Sequence, residues 1–121
     1  MSIHLELGFT IERAFGDQLA LPIEQKQDAL IVRLKNGVTL NVRYAASDAY
    51  SLRWTYGDAE SGIDTAPLHR ELATFPNHFH EADGRIVADP ITHHDASPTD
   101  NLQSLIRALI DDPMLGVRDP A

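Results

Sequence analysis

No cysteine occurs in the 121 residues, which excludes a disulfide scaffold and a thiolate metal centre and makes a reducing, cytoplasmic home the expectation. Basic side chains are also scarce: ten Lys and Arg stand against eighteen Asp and Glu, for a net charge of −8. A chain so charged is repelled on average by phosphate backbones, so a general nucleic-acid coat is not expected. The excess acid is concentrated late: residues 1–60 hold six basic and eight acidic residues, residues 61–121 four and ten. No apolar run approaches the ~20 residues of a membrane span. Met1 to Thr10 has neither a basic run nor a continuous apolar block, so a signal peptide and a membrane partner are both unexpected. Repeats, low-complexity tracts and linkers are lacking as well. With 43% hydrophobic residues, the chain reads as one domain over 1–121, able to bury a core.

What is present is a pattern of alternation. Ala29 to Lys35 reads as a strand, Asn36-Gly37 as the two-residue turn of a hairpin, and Val38 to Tyr44 as the return strand. Ala45 to Ala49 reads as a loop, Tyr50 to Tyr56 as a third strand, Gly57 to Gly62 as a second loop, and Ile63 to Thr65 as a short fourth strand. Asp83-Gly84 marks another tight turn, between Phe79 and a strand Arg85 to Ala88. Near the N-terminus, Ile3 to Ile11 carries apolar residues at every odd position. Ile3, Leu7 and Ile11 also fit a helix, but Gly8 and Thr10 are poor helix formers, so a strand is expected. Gly16 to Gln27 reads as loop.

The period of two sorts these strands into faces. Leu30, Val32, Leu34, Val38, Leu40, Val42, Tyr44, Leu52, Trp54 and Tyr56 share the apolar face. Arg33, Lys35, Thr39, Asn41, Arg43, Ser51, Arg53 and Thr55 share the other. A one-sided sheet needs a cover. Ser97-Pro98-Thr99-Asp100 is a helix start, and Leu102, Leu105, Ile106, Leu109 and Ile110 follow at helical spacing until Pro113. The expected fold is α+β: an antiparallel sheet with one principal C-terminal helix packed on its apolar face.

Chemistry is concentrated between Asp64 and His80, where three of the six histidines fall in seventeen residues among two prolines. Imidazole exchanges a proton near neutral pH and is also the commonest metal ligand. In an extended segment His78 and His80 point to one side, and His69 or Asp64 would complete a cluster. Metal-free RNA cleavage needs a base for the 2′-hydroxyl, an acid for the leaving oxygen and a cation near the phosphate. The candidate catalytic residues are therefore His69, His78 and His80, with Arg53, Arg43 and Asp64 as candidate substrate-binding residues and no cofactor. A metal-dependent hydrolase, with His78, His80 and His69 or Asp64 as ligands, ranks lower because no HExxH-like spacing is present. His93-His94 and His4 read as surface residues. Four cations on one sheet face read first as the ordinary solvated side of a half-buried sheet and second as a phosphate strip, and the absence of aromatics between them argues against a base-stacking platform.

The segment resembles the TumE-like toxins of prokaryotic toxin–antitoxin systems, whose pattern is Asp-Asn-Ala-Pro-His-His-x-Glu-Leu-x-x-Phe-Pro-His-His-x-His. The matching residues are Asp64, Ala66, Pro67, His69, Glu71, Leu72, Phe75, Pro76, His78 and His80, preceded by the aromatic strand Tyr50-Ser51-Leu52-Arg53-Trp54. The likeness covers roughly 28–112. Thr65, Leu68 and Asn77 depart from the pattern, the last two in place of histidines, and Arg70 stands where the family frequently has proline. The resemblance implies a toxin paired with a helix-turn-helix antitoxin and acting on RNA. The alternative reading is a non-catalytic protein-interaction module with a basic partner.

Overall fold

The computed structural model describes residues 3–116. Helix α1 (Ile3–Phe15) and a 3-10 turn (Gly16–Gln18) precede seven strands: β1 (Glu24–Gln25), β2 (Leu30–Arg33), β3 (Thr39–Ala46), β4 (Ala49–Tyr56), β5 (Ala59–Asp64), β6 (His78–His80) and β7 (Ile86–Ala88). Helix α2 (Pro98–Asp111) closes the chain. The strands follow one another across a single antiparallel sheet in the order β1 to β7. The mixed α+β architecture expected from the alternation is present, with α2 where the capping signals put it. Ser97 Oγ accepts the Asp100 backbone N–H at 3.1 Å, and Pro98 occupies the first turn.

Both helices cover the apolar face. Leu7, Ile11 and Phe15 of α1, and Leu102, Leu105, Ile106 and Leu109 of α2, pack in one buried cluster with Leu30, Val32, Leu40, Val42, Leu52 and Trp54. Of the expected apolar face, Tyr56 departs: it is 41% exposed, at the end of β4. The far end of α2 is tied to the sheet. Asn36 Nδ2 donates to the Leu109 carbonyl at 3.0 Å, and Trp54 Nε1 donates to the Pro113 carbonyl at 3.0 Å.

The N-terminal segment is a helix, not a strand. Its apolar residues satisfy both periods, and tertiary contacts decide between them. A Cβ at Gly8 would meet the Gln25 side-chain amide, which would have to shift, and Gln25 Nε2 donates to the His4 carbonyl at 3.2 Å. Thr10 Oγ1 donates back to the Glu6 carbonyl at 3.0 Å. His4 is accordingly no surface residue. It is buried, and its Nε2 accepts the Tyr44 N–H at 3.0 Å, beside the irregularity of β3 between Tyr44 and Ala46. Two expected loops are shorter than read. β3 and β4 run on to Ala46 and from Ala49, and β5 occupies most of Gly57 to Gly62, after a turn in which Gly57 has φ 59°. The loop Gly16 to Gln27 contains the 3-10 turn and β1. The turns at Asn36-Gly37 and Asp83-Gly84 are present, with φ of 100° at Gly37 and 93° at Gly84.

Candidate functional site

The second face of the sheet carries the site. Antiparallel register aligns Arg43, Ser51, Asp64 and His78 in one row across β3, β4, β5 and β6. The neighbouring row is Asn41, Arg53, Gly62 and His80. Because side chains alternate, both rows project to the same side. Gly62 leaves a gap in its row. A Cβ there would meet Arg53 Cγ at 3.2 Å, so the arginine stem lies over the glycine. The result is a groove of about 640 Å³, lined among others by Thr39, Asn41, Arg43, Arg53, Ser61, Gly62 and His80. Among the described residues neither the Arg43 nor the Arg53 side chain has a hydrogen-bonding or ionic partner. Arg33, by contrast, is paired with Glu24 at 3.0 Å, and Lys35 lies outside the groove lining.

Beside the groove, which reaches His80, Asp64 holds two imidazoles. His78 Nε2 is 2.9 Å from Asp64 Oδ1, and His80 Nε2 is 3.2 Å from Asp64 Oδ2. Asp64 Oδ1 also accepts the Ala66 N–H at 3.0 Å, which fixes the carboxylate at the strand end. The His78 side chain is 2% exposed and that of His80 38%. His78 Nδ1 is 3.2 Å from the Pro76 carbonyl. A carbonyl only accepts, so Nδ1 carries a proton.

His69 reaches the same place from the loop between β5 and β6. That loop is a succession of tight turns, with Leu72, Phe75 and Asn77 N–H groups donating to the carbonyls of His69, Leu72 and Thr74. The Phe75–Pro76 peptide is cis, and the Arg70 guanidinium lies over the Phe75 ring. The His69 and His78 ring centroids are 4.9 Å apart, and those of His78 and His80 are 4.7 Å apart, both edge-on. His69 Nδ1 faces Glu71 at 3.6 Å, with 27% of the side chain exposed. The three rings therefore form one row, with a buried imidazole between two solvent-reachable ones.

All six residues singled out from the sequence lie on this face or against it. Their surroundings differ: Asp64 is engaged by the imidazoles, while Arg43 and Arg53 line the groove. His93 and His94 are exposed loop residues, as expected. Sequence reasoning missed Gly62, which fell in an expected loop. It also missed the buried support beneath β6. Asn77 Nδ2 donates to Tyr50 Oη at 2.8 Å and to Asp89 Oδ2 at 3.1 Å. Asp89 Oδ1 accepts the Ile91 and Thr92 N–H groups at 2.8 and 2.9 Å. Asn101 of α2 exchanges two hydrogen bonds with the His93 backbone, at 2.7 and 3.0 Å. Burial pushes the Tyr50 phenol above its ordinary pKa, against the opposing hydrogen bonds of Thr92 and Asn77, so it stays neutral. The only sequence signal of this network was Asn77, which replaces a histidine of the family pattern.

The metal-ligating groups among the described residues also meet here: one atom each of Asp64, His78 and His80 lie within 4.8 Å of one another. His69 is outside that set. Among the described residues no helix is long and apolar enough to cross a membrane.

Among known families, the model described as "Toxin TumE" matches residues 8–113. It reaches further toward the N-terminus than the likeness seen over 28–112 and includes most of α1. No curated protein and no solved structure matches the chain.

Proposed function

Because the chain belongs to the TumE toxin family, we propose that it is the toxin of a toxin–antitoxin pair and that it cleaves RNA by metal-independent acid–base catalysis at the histidine row. The observation that carries this reading is the shared face: two guanidinia without side-chain partners among the described residues line a groove that reaches His80, which Asp64 joins to His78. Arg43 and Arg53 hold the phosphate and stabilise the charge that develops on it. His80 gives its Nε2–H to Asp64, which leaves Nδ1 to take the proton of the 2′-hydroxyl. The O2′ then attacks phosphorus, the bond to O5′ breaks, and His69 protonates the departing oxygen. His78 is too buried to touch RNA. It is a positioning residue that fixes Asp64 through Nε2 and is itself fixed by the Pro76 carbonyl.

In the cell the activity is held in check by an antitoxin, for which a small helix-turn-helix protein is the proposed partner. The test is expression of the full chain without that partner, reading growth and total RNA together. Wild type is expected to arrest growth and degrade RNA, and His80→Ala and His69→Ala to relieve both by at least tenfold while the soluble fold persists. Undiminished toxicity in a folded His78→Ala/His80→Ala double variant would reject the catalytic reading in favour of a module that acts by binding.

A further inference from the structure

We propose that Asp64, His78 and His80 also form a binding site for a zinc-like divalent cation, and that occupancy shuts off the acid–base chemistry of the same rings. The argument starts from His78. Its Nδ1 proton is committed to the Pro76 carbonyl at 3.2 Å, so Nε2, 2.9 Å from Asp64 Oδ1, is the nitrogen through which the ring would bind an ion. A cation held between Nε2 and the carboxylate would take the place of the proton that otherwise joins them. An imidazole whose far N–H is anchored on a backbone carbonyl is also the arrangement that orients histidine ligands. The His80 Nε2 lies on the other carboxylate oxygen at 3.2 Å. Donors about 2.0–2.2 Å from a tetrahedral ion are about 3.3–3.6 Å apart. The two nitrogen–oxygen separations would open by a few tenths of an ångström, while the three-donor set, whose atoms lie within 4.8 Å of one another, would draw together around the ion. Two nitrogens and one carboxylate favour zinc-like ions over magnesium or calcium. The fourth position is reachable, because the His80 side chain is 38% exposed and lines the groove.

The consequence for activity rests on the reading of His80 as the proton acceptor. A ring coordinated through Nε2 carries its one proton on Nδ1 instead, so Nδ1 no longer takes one up. The cation also occupies the carboxylate that orients the ring. Zinc would therefore compete with catalysis instead of serving it.

The full chain should be titrated with Zn²⁺ by calorimetry and with Co²⁺ by visible absorption, and its RNA cleavage measured from chelator through rising zinc. One equivalent of zinc is expected, at least tenfold weaker in Asp64→Asn, in His78→Ala and in His80→Ala. The last is the half-exposed position, which keeps the test open if the buried variant does not fold. Cleavage is expected to be highest in chelator and to fall as zinc fills the site. The site is overturned by the absence of stoichiometric binding or by binding indifferent to all three variants. The inhibitory role is overturned by cleavage that requires zinc. Stoichiometric binding by these residues in a chain that cleaves no RNA under any condition would overturn the ribonuclease reading and the inhibitory role together, while leaving the binding site standing.

Discussion

Tyr44 and Tyr50 touch ring to ring, yet their hydroxyls have opposite circumstances. Tyr44 Oη is buried with no hydrogen-bond partner among the described residues, and burial holds its phenol far above the ordinary pKa. Tyr50 Oη receives Asn77 and shares a hydrogen bond with Thr92 at 2.8 Å. An unsatisfied buried hydroxyl costs about 1–3 kcal/mol, as does a partner removed from a satisfied one. Denaturant unfolding is therefore expected to show Tyr44→Phe as stable as wild type or more so. Tyr50→Phe is expected to lose about 1–3 kcal/mol. Equal losses in both would contradict the network. Gly62 is the other telling residue. Gly62→Val places branched carbon against Arg53 in the floor of the groove. It is expected to weaken RNA cleavage more than tenfold with the far-ultraviolet spectrum unchanged. An unaffected rate would show that RNA does not lie there. The roles of single residues were only partly legible in the sequence. The period of two put Arg43 and Arg53 on one face and His78 with His80. It could not show that His78 is buried against Asp64, because that contact is a matter of cross-strand register between β5 and β6.

Elements differ in how far local signals decide them. The β2–β3 hairpin and α2 carry their own punctuation, Asn36-Gly37 and Ser97-Pro98, and both stand where that punctuation puts them. α1 has no such mark. Its alternating apolar residues fit a strand, and Gly8 packs against the amide of Gln25, seventeen residues away. Only the end of β5 is legible, at Ile63 and Asp64, and its start reads as loop for the opposite reason: Ala59-Glu60-Ser61-Gly62 lacks an apolar alternation, and pairing with β4 and β6 holds it. Two element-scale predictions follow from these differences. His4→Phe leaves the buried Tyr44 N–H without its acceptor, and is expected to cost about 1–3 kcal/mol. Hydrogen exchange should place the loss in α1 and the end of β3, and unchanged protection there would contradict the docking described. Ser97→Ala removes the cap of α2 and is expected to cost about 1 kcal/mol. No loss in thermal or denaturant stability would mean that the Ser97 hydrogen bond contributes nothing.

At the scale of the molecule, a chain of net charge −8 can hold RNA only through a local exception to its own field. The structure offers two guanidinia in the groove that have no partner among the described residues, not a basic coat. Counterion release from single-stranded RNA gives a slope of about −0.7 per neutralised phosphate, so two contacts predict a slope near −1.4 in log affinity against log salt. A slope several times steeper would mean that a different, larger surface binds. The account's central claim is that imidazoles on this face drive attack by the 2′-hydroxyl. The most direct measurement is the chemistry of the ends left when the purified chain cuts a defined RNA in the presence of chelator. A 2′,3′-cyclic phosphate and a 5′-hydroxyl are expected, with a single 2′-deoxy substitution at the cut site abolishing cleavage there. Cutting of the deoxy-substituted strand at an undiminished rate, or products bearing 5′-phosphates, would contradict it.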